Sequence, residues 1–152
     1  GERIFITATG TMTGRLKTRD IVEVDLGCAD DPNILLASSE LVVHRAIYLR
    51  TGARAVVHAQ PPYATLLSMT DDELVPVDSE GSYHLKRVPV ATPENAIASD
   101  EAAQAVSEYL ADHRIVLVRG HGSFARGDTL EEAYMLTSSL ESSAFYLYHV
   151  KT

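Results

Sequence analysis

The chain has 152 residues, 45% apolar and 22% charged, enough for one domain with a substantial buried core. Its formal net charge of −8 argues against non-specific nucleic-acid binding, which depends on basic surface. No apolar run approaches the roughly 20 residues of a membrane-spanning helix, and no signal-peptide pattern opens the chain. The single cysteine, Cys28, cannot close an internal disulfide, so a reducing compartment, the cytoplasm, is expected. The chain enters a strand-like run directly at Gly1 without a methionine, and a further segment upstream is expected.

In chain order, Arg3 to Thr7 is rich in β-branched and aromatic residues and stops at the turn signal Thr9-Gly10. Asp20 to Leu26 alternates apolar and charged residues, the pattern of a half-buried strand. After a loop through Asp30-Asp31-Pro32-Asn33, Ser38 or Ser39 is the expected N-cap of a helix ending near Gly52. Arg54 to Ala59 reads as a buried strand, and Pro61-Pro62 opens a short helix through its preset φ. Leu74 to Val77 and Arg87 to Val90 read as two short strands joined by a segment carrying Gly81.

Ser99 is the expected cap of the next helix, with Asp100 and Glu101 placed against its dipole. That helix should run to about His113. Ile115 to Val118 is an uninterrupted apolar strand, and Ser123 to Arg126 a further one. Thr129-Leu130-Glu131-Glu132 has the form of a capping box. It opens a long helix whose expected apolar face is Tyr134, Leu136, Leu140, Ala144, Leu147 and Tyr148. With no repeat, linker or low-complexity tract, the pattern predicts a single mixed α/β domain over residues 1–152.

The residues able to do chemistry lie at the edges of these elements. His58 and Gln60 are two apart on a strand and so share a face. A second histidine at position 60 would make a two-imidazole metal site there, but an amide oxygen is a poor ligand for transition metals. His121 stands between Gly120 and Gly122 directly after a buried strand, where the backbone can turn sharply and present a side chain to a cleft. His44, His84, His113 and His149 have helical or exposed contexts and are read as structural. Glu40 falls in the first turn of its helix, where the dipole stabilises a carboxylate. Ser38 and Ser39 set hydroxyls beside free backbone N–H groups, an arrangement suited to phosphate, and Thr9 and Gly10 could complete such a site.

Taken in order, Ile6-Thr7-Ala8-Thr9-Gly10, Ser38-Ser39-Glu40, Ala55-Val56-Val57-His58-Ala59-Gln60-Pro61, Gly120-His121-Gly122 and Thr129-Leu130-Glu131-Glu132-Ala133 resemble the class II aldolase/adducin family over nearly the whole chain. The resemblance implies a three-layer α/β/α sandwich with a central, mostly antiparallel sheet, assembled as a four-fold tetramer. It implies a divalent metal, zinc, held by three histidines: His58, His121 and a third at the position where this chain has Gln60. It makes Glu40 the acid–base residue and sets the substrate phosphate against Thr9, Gly10, Ser38 and Ser39. A further Gly-Asn-x-Ser phosphate element is expected upstream of Gly1. The family's tyrosine acid from a neighbouring subunit has no clear counterpart, although Glu80 and Tyr83 lie in the corresponding region. The implied activity is cleavage of a phosphorylated ketose, such as fuculose 1-phosphate, to dihydroxyacetone phosphate and an aldehyde. The alternatives are a pentulose-phosphate 4-epimerase, a sugar-phosphate dehydratase, or a non-catalytic adducin-like module with a decayed metal site.

Overall fold

A computed structural model describes residues 2–151. Strands β1 (Arg3–Thr7) and β2 (Ile21–Asp25) pair as an antiparallel ribbon. Alternation sets its inner face: Ile4 and Ile6 are buried while Arg3 and Phe5 face water. The buried side meets Val24, Ala37 and Leu41 in a small apolar cluster. A 3-10 turn, Pro32–Leu35, is capped by the Asp31 carboxylate, which accepts the Asn33 N–H, and leads to helix α1 (Leu41–Thr51).

The remaining elements are β3 (Ala55–Ala59), α2 (Pro62–Ser68), β4 (Glu73–Leu74), α3 (Ser79–His84), β5 (Val88–Ala91), α4 (Asp100–Asp112), β6 (Ile115–Val118), β7 (Gly122–Gly127) and α5 (Leu130–Lys151). The later strands form one sheet in the order β3-β7-β6-β5-β4. The β5–β6 pair is parallel and the other three pairs are antiparallel.

Strand β6 shows why helices cover both faces. All four of its residues are buried, and successive side chains point to opposite sides. Val116 and Val118 pack with Val43 and Ile47 of α1 and Val106 and Leu110 of α4. Ile115 and Leu117 pack with Leu67 of α2 and Leu136 and Leu140 of α5. The result is the expected three-layer α/β/α sandwich with a mostly antiparallel sheet. No helix among the described residues is long and apolar enough to cross a membrane.

Several local expectations need correction. Neither Ser38 nor Ser39 caps α1; the helix starts at Leu41 with Glu40 in the cap position and no side-chain cap bond. Ser38 Oγ instead accepts the Glu40 N–H at 3.3 Å. The strand expected from Leu74 to Val77 is only Glu73–Leu74, and the segment with Gly81 is helix α3, capped by the Asp78 carboxylate on the Gly81 N–H. A six-residue helix with glycine and two serines carries neither strong propensity nor apolar period. The Thr129 hydroxyl does accept the Glu132 N–H, but the Glu132 carboxylate reaches back to the Asp128 N–H at 2.7 Å and also meets Arg114. On α5, Tyr134 is exposed and Ala133 takes the buried position on the face with Leu136, Leu140 and Ala144.

Candidate active site

Three elements converge at one end of the sheet. Glu40 comes from the start of α1, His58 from the end of β3, and His121 from the turn between β6 and β7. That turn depends on two glycines. Gly120 has φ +66, a left-handed backbone that side chains disfavour. Gly122 lies so close to β3 that a Cβ there would meet the Ala59 carbonyl oxygen at 2.3 Å. The turn is pinned from below by Ser68, a fully buried residue of α2. Its hydroxyl accepts the Gly120 N–H at 3.0 Å and donates to the Thr65 carbonyl at 2.7 Å.

Glu40, His58 and His121 each bring a ligand atom within 4.8 Å of the other two, and no other such group occurs among the described residues. His58 Nδ1 lies 3.0 Å from the Ser123 carbonyl oxygen, and His121 Nδ1 lies 2.9 Å from that of Ala96. A carbonyl can only accept, so each Nδ1 carries a proton and Nε2 is the nitrogen left to offer a lone pair. This is how metal-ligating imidazoles are commonly oriented. The His58 ring stacks on Phe124 with centroids 4.1 Å apart, and meets His121 edge-on at 4.9 Å. Burial holds the His58 pKa down to about 4; the hydrogen bond to Ser123 opposes this and His121 adds to it. At neutral pH His58 is therefore an uncharged base with a free nitrogen.

The Glu40 carboxylate is divided between two tasks. Its Oε1 accepts the Ala98 N–H at 3.0 Å and lies 3.9 Å from His121 Nε2. Its Oε2 is buried without a hydrogen-bond partner. A buried, orphaned carboxylate oxygen costs about 1–3 kcal/mol or more unless something answers it. Two imidazole nitrogens and a carboxylate form a donor set suited to a divalent cation such as zinc, so these residues fit a metal.

Residues 96–98 tie the group together. The Ala96 carbonyl receives His121, and the Ala98 N–H holds Glu40. Ala98 has φ +49, a conformation costing an alanine on the order of 1–2 kcal/mol. The loop also separates two clefts. One, of about 510 Å³, is lined by Thr9, Ser38, Ser39, Arg45 and Ala98 among others. The other, of about 610 Å³, includes Gln60, Ile97 and His121.

Backbone pairing brings Thr9 and Ser38 together across the chain. The Thr9 N–H bonds to the Leu36 carbonyl at 3.0 Å, and the Ser38 N–H to that of Thr7 at 2.9 Å. Gly10, with φ +72, adjoins Thr9. Gln60 is exposed just past the end of β3. Arg45, Ser68 and the 96–98 loop escape sequence reasoning: an arginine within a helix, a buried serine and an irregular stretch carry no distinguishing local signal. Arg45 donates to the backbone carbonyls of Asp25, Leu26 and Cys28 while lining the first cleft. The four other histidines stand outside the metal-competent group. Burial, together with nearby His58, pushes the His44 pKa down to about 4. Tyr83 is exposed and lines a different cleft with His113, Arg114 and Ile115, at the opposite end of β6 from His121.

Residues 1–148 match the family described as Class II Aldolase and Adducin N-terminal domain. The chain belongs to this family. A crystal structure of L-fuculose-1-phosphate aldolase from Thermus thermophilus superposes with a TM-score of 0.91 at 44% identity, over 97% of this chain and 77% of that one. L-fuculose phosphate aldolase of Methanocaldococcus jannaschii is 29% identical over 147 residues, 95% of this chain and 77% of its own length. Methylthioribulose-1-phosphate dehydratase of Hahella chejuensis is 34% identical over 153 residues, 91% of this chain and 73% of its own length. With aldolases and a dehydratase as relatives, this member of the family is an enzyme, and the metal-dependence of class II aldolases agrees with the Glu40–His58–His121 cluster.

Proposed function

We propose that the chain is a metal-dependent sugar-phosphate aldolase that cleaves a phosphorylated ketose, such as fuculose 1-phosphate, to dihydroxyacetone phosphate and an aldehyde. The observation that carries this reading is the convergence of Glu40 with two imidazoles whose Nδ1 protons are both committed to backbone carbonyls. His58 and His121 are the proposed ligands of Zn2+, with Gln60 standing where a third imidazole would be. A cation bound there supplies Lewis acidity at a carbonyl oxygen.

The chain's own residues do the rest. Thr9, Gly10, Ser38 and Ser39 hold the substrate phosphate, with Arg45 lending positive charge to the same cleft. When the C3–C4 bond breaks, the C4 hydroxyl passes its proton to the Glu40 carboxylate and becomes the aldehyde carbonyl, while the electron pair of the bond stays on the three-carbon fragment. Glu40 Oε2, the oxygen without a partner, delivers the proton to C3. Burial of Glu40 and His121, with side chains 8% and 7% exposed, limits bulk water beside that carbon. We further assign the enzyme to a homotetramer in the cytoplasm, with residues 1–152 forming a single aldolase-like domain.

The decisive assay is release of dihydroxyacetone phosphate from fuculose 1-phosphate by zinc-loaded protein. Absence of release would remove the aldolase reading. A second reading, sugar-phosphate dehydratase, is favoured by the dehydratase relative at 34% identity. Dehydration of methylthioribulose 1-phosphate in place of ketose cleavage would establish it. Gln60→His should raise zinc occupancy and lyase rate; if neither rises, position 60 takes no part in holding the metal.

A further inference from the structure

The connection from β5 to α4 is bracketed by polar residues that take no part in the steps above. Glu101, in the first turn of α4, accepts two hydrogen bonds on one carboxylate oxygen: the Asn95 backbone N–H at 3.1 Å and the Asn95 side-chain amide at 2.7 Å. Bonds to an ionised acceptor are stronger than those between neutral groups. Ser99 closes the bracket, its hydroxyl donating to the Asn95 carbonyl at 2.5 Å and accepting the Ala102 N–H at 3.0 Å. The N–H, carbonyl and side chain of Asn95 are thus all committed to the start of α4. That helix is itself fixed in the core, where Ala102, Val106 and Leu110 pack with Val43 and Ile47 of α1.

Between Asn95 and Ser99 lie Ala96, Ile97 and Ala98, and two of these serve the site. The Ala96 carbonyl receives His121 Nδ1, and the Ala98 N–H holds Glu40 Oε1. Ala98 does so with φ +49, a conformation that persists only where the surroundings over-determine it. Asn95 and Glu101 are both exposed, so their hydrogen bonds, rather than core packing, fix them to each other. We infer that Glu101 is a positioning residue: through Asn95 it holds the 96–98 loop, and the loop sets both the aim of the Glu40 carboxylate and the ring direction of His121. Its part in the reaction rests on the proposed aldolase reading, whereas its hold on the loop does not. Changing an outer partner of a metal-ligating histidine commonly lowers affinity 10–100-fold, and Glu101 acts one contact further out, so a loss of about tenfold is expected.

Three variants of the full chain test this. Glu101→Ala removes the acceptor, and Glu101→Gln keeps an amide oxygen able to accept from Asn95. Glu108→Gln is the control, on the same helix but facing Gln104 and Arg50. Amide exchange followed by NMR in the metal-free protein reads the loop directly. Glu101→Ala should speed exchange of the Ala98 N–H about tenfold and leave that of Gly120, which bonds to Ser68, within about twofold. Zinc affinity, from chelator competition, should fall about tenfold in Glu101→Ala and return to within about twofold of the unaltered chain in Glu101→Gln. Glu108→Gln should move neither readout. Unchanged exchange at Ala98, equal acceleration at Ala98 and Gly120, or full zinc affinity in Glu101→Ala overturns the inference. If both readouts respond but the unaltered chain releases no dihydroxyacetone phosphate, the inference stands and the aldolase reading fails. Release with neither readout responding does the reverse. If the unaltered chain takes up no zinc, the metal reading fails and exchange at Ala98 alone decides the hold on the loop.

Discussion

Replacing Ser68 with alanine tests whether the floor beneath the β6–β7 turn controls the metal site. Ser68 is fully buried, and its hydroxyl is the partner of the Gly120 N–H. Ser68→Ala leaves that N–H unanswered, at a cost of about 1–3 kcal/mol. For a domain of about 150 residues each kcal/mol lowers Tm by roughly 2–4 °C, so a fall of about 2–12 °C is expected in calorimetry. The second effect is the diagnostic one. Gly120 sets the direction of His121, and disturbing the outer contacts of a metal-ligating histidine typically weakens affinity 10–100-fold. Zinc affinity, measured by competition with a chromophoric chelator, should fall by about tenfold. Ser107→Ala is the control. Ser107 is also buried, its hydroxyl bonds to the Gln104 carbonyl, and it lies on α4 away from the turn. If both variants lose stability and both keep full zinc affinity, the turn is held without Ser68 and the reasoning fails.

Other outcomes follow from the same geometry. Glu40→Gln should lower the rate of ketose cleavage by about 10²–10⁴-fold, the usual contribution of general acid–base catalysis; metal analysis of the variant tells base from ligand, since loss of zinc would make Glu40 a ligand. Leu140→Ala, at a fully buried position of α5, should cost about 2–5 kcal/mol in urea unfolding, and a cost below about 1 kcal/mol would contradict the described core. His44 is held near pKa 4 against 6.5 in the unfolded chain, through burial and then through His58. The unfolded state therefore binds the extra proton first, and stability present above about pH 6.5 is lost as pH falls toward 4. Urea midpoints across that window should fall less steeply in His44→Phe, and an unchanged slope would assign the loss to other groups.

The legible parts of the fold were those in which a side-chain period met a punctuating residue. Ile115-Val116-Leu117-Val118 could only be a strand covered on both faces, and Ser99 followed by Asp100-Glu101 could only open a helix. Helix α3 was not legible because its stability comes from contact with the rest of the chain. The start of α1 misled for a related reason: Ser38 and Ser39 are good caps by type, but backbone pairing of residues 36–38 with residues 7–9 holds Ser38 away from the helix, and Ser39 lies in the turn that follows. At the site, His58, His121 and Glu40 could be nominated because each stands at the edge of an apolar run, Glu40 before one and the two histidines after. What brings them together could not be seen. Ser68 and the carbonyl of Ala96 act through the folded backbone, and nothing in their local sequence marks them.

The stretch Pro93-Glu94-Asn95-Ala96-Ile97-Ala98 has the look of ordinary irregular chain, where insertions and deletions are usually tolerated. Its hydrogen bonds to Glu40 and His121 make it the opposite. Those two side chains come from separate elements, and the spacing between them is referenced to one short length of backbone. Adding or removing a residue there would shift both at once, whereas the same change in the exposed Gly27–Asp30 segment would shift neither. The length of this connection is therefore set by two site residues at once.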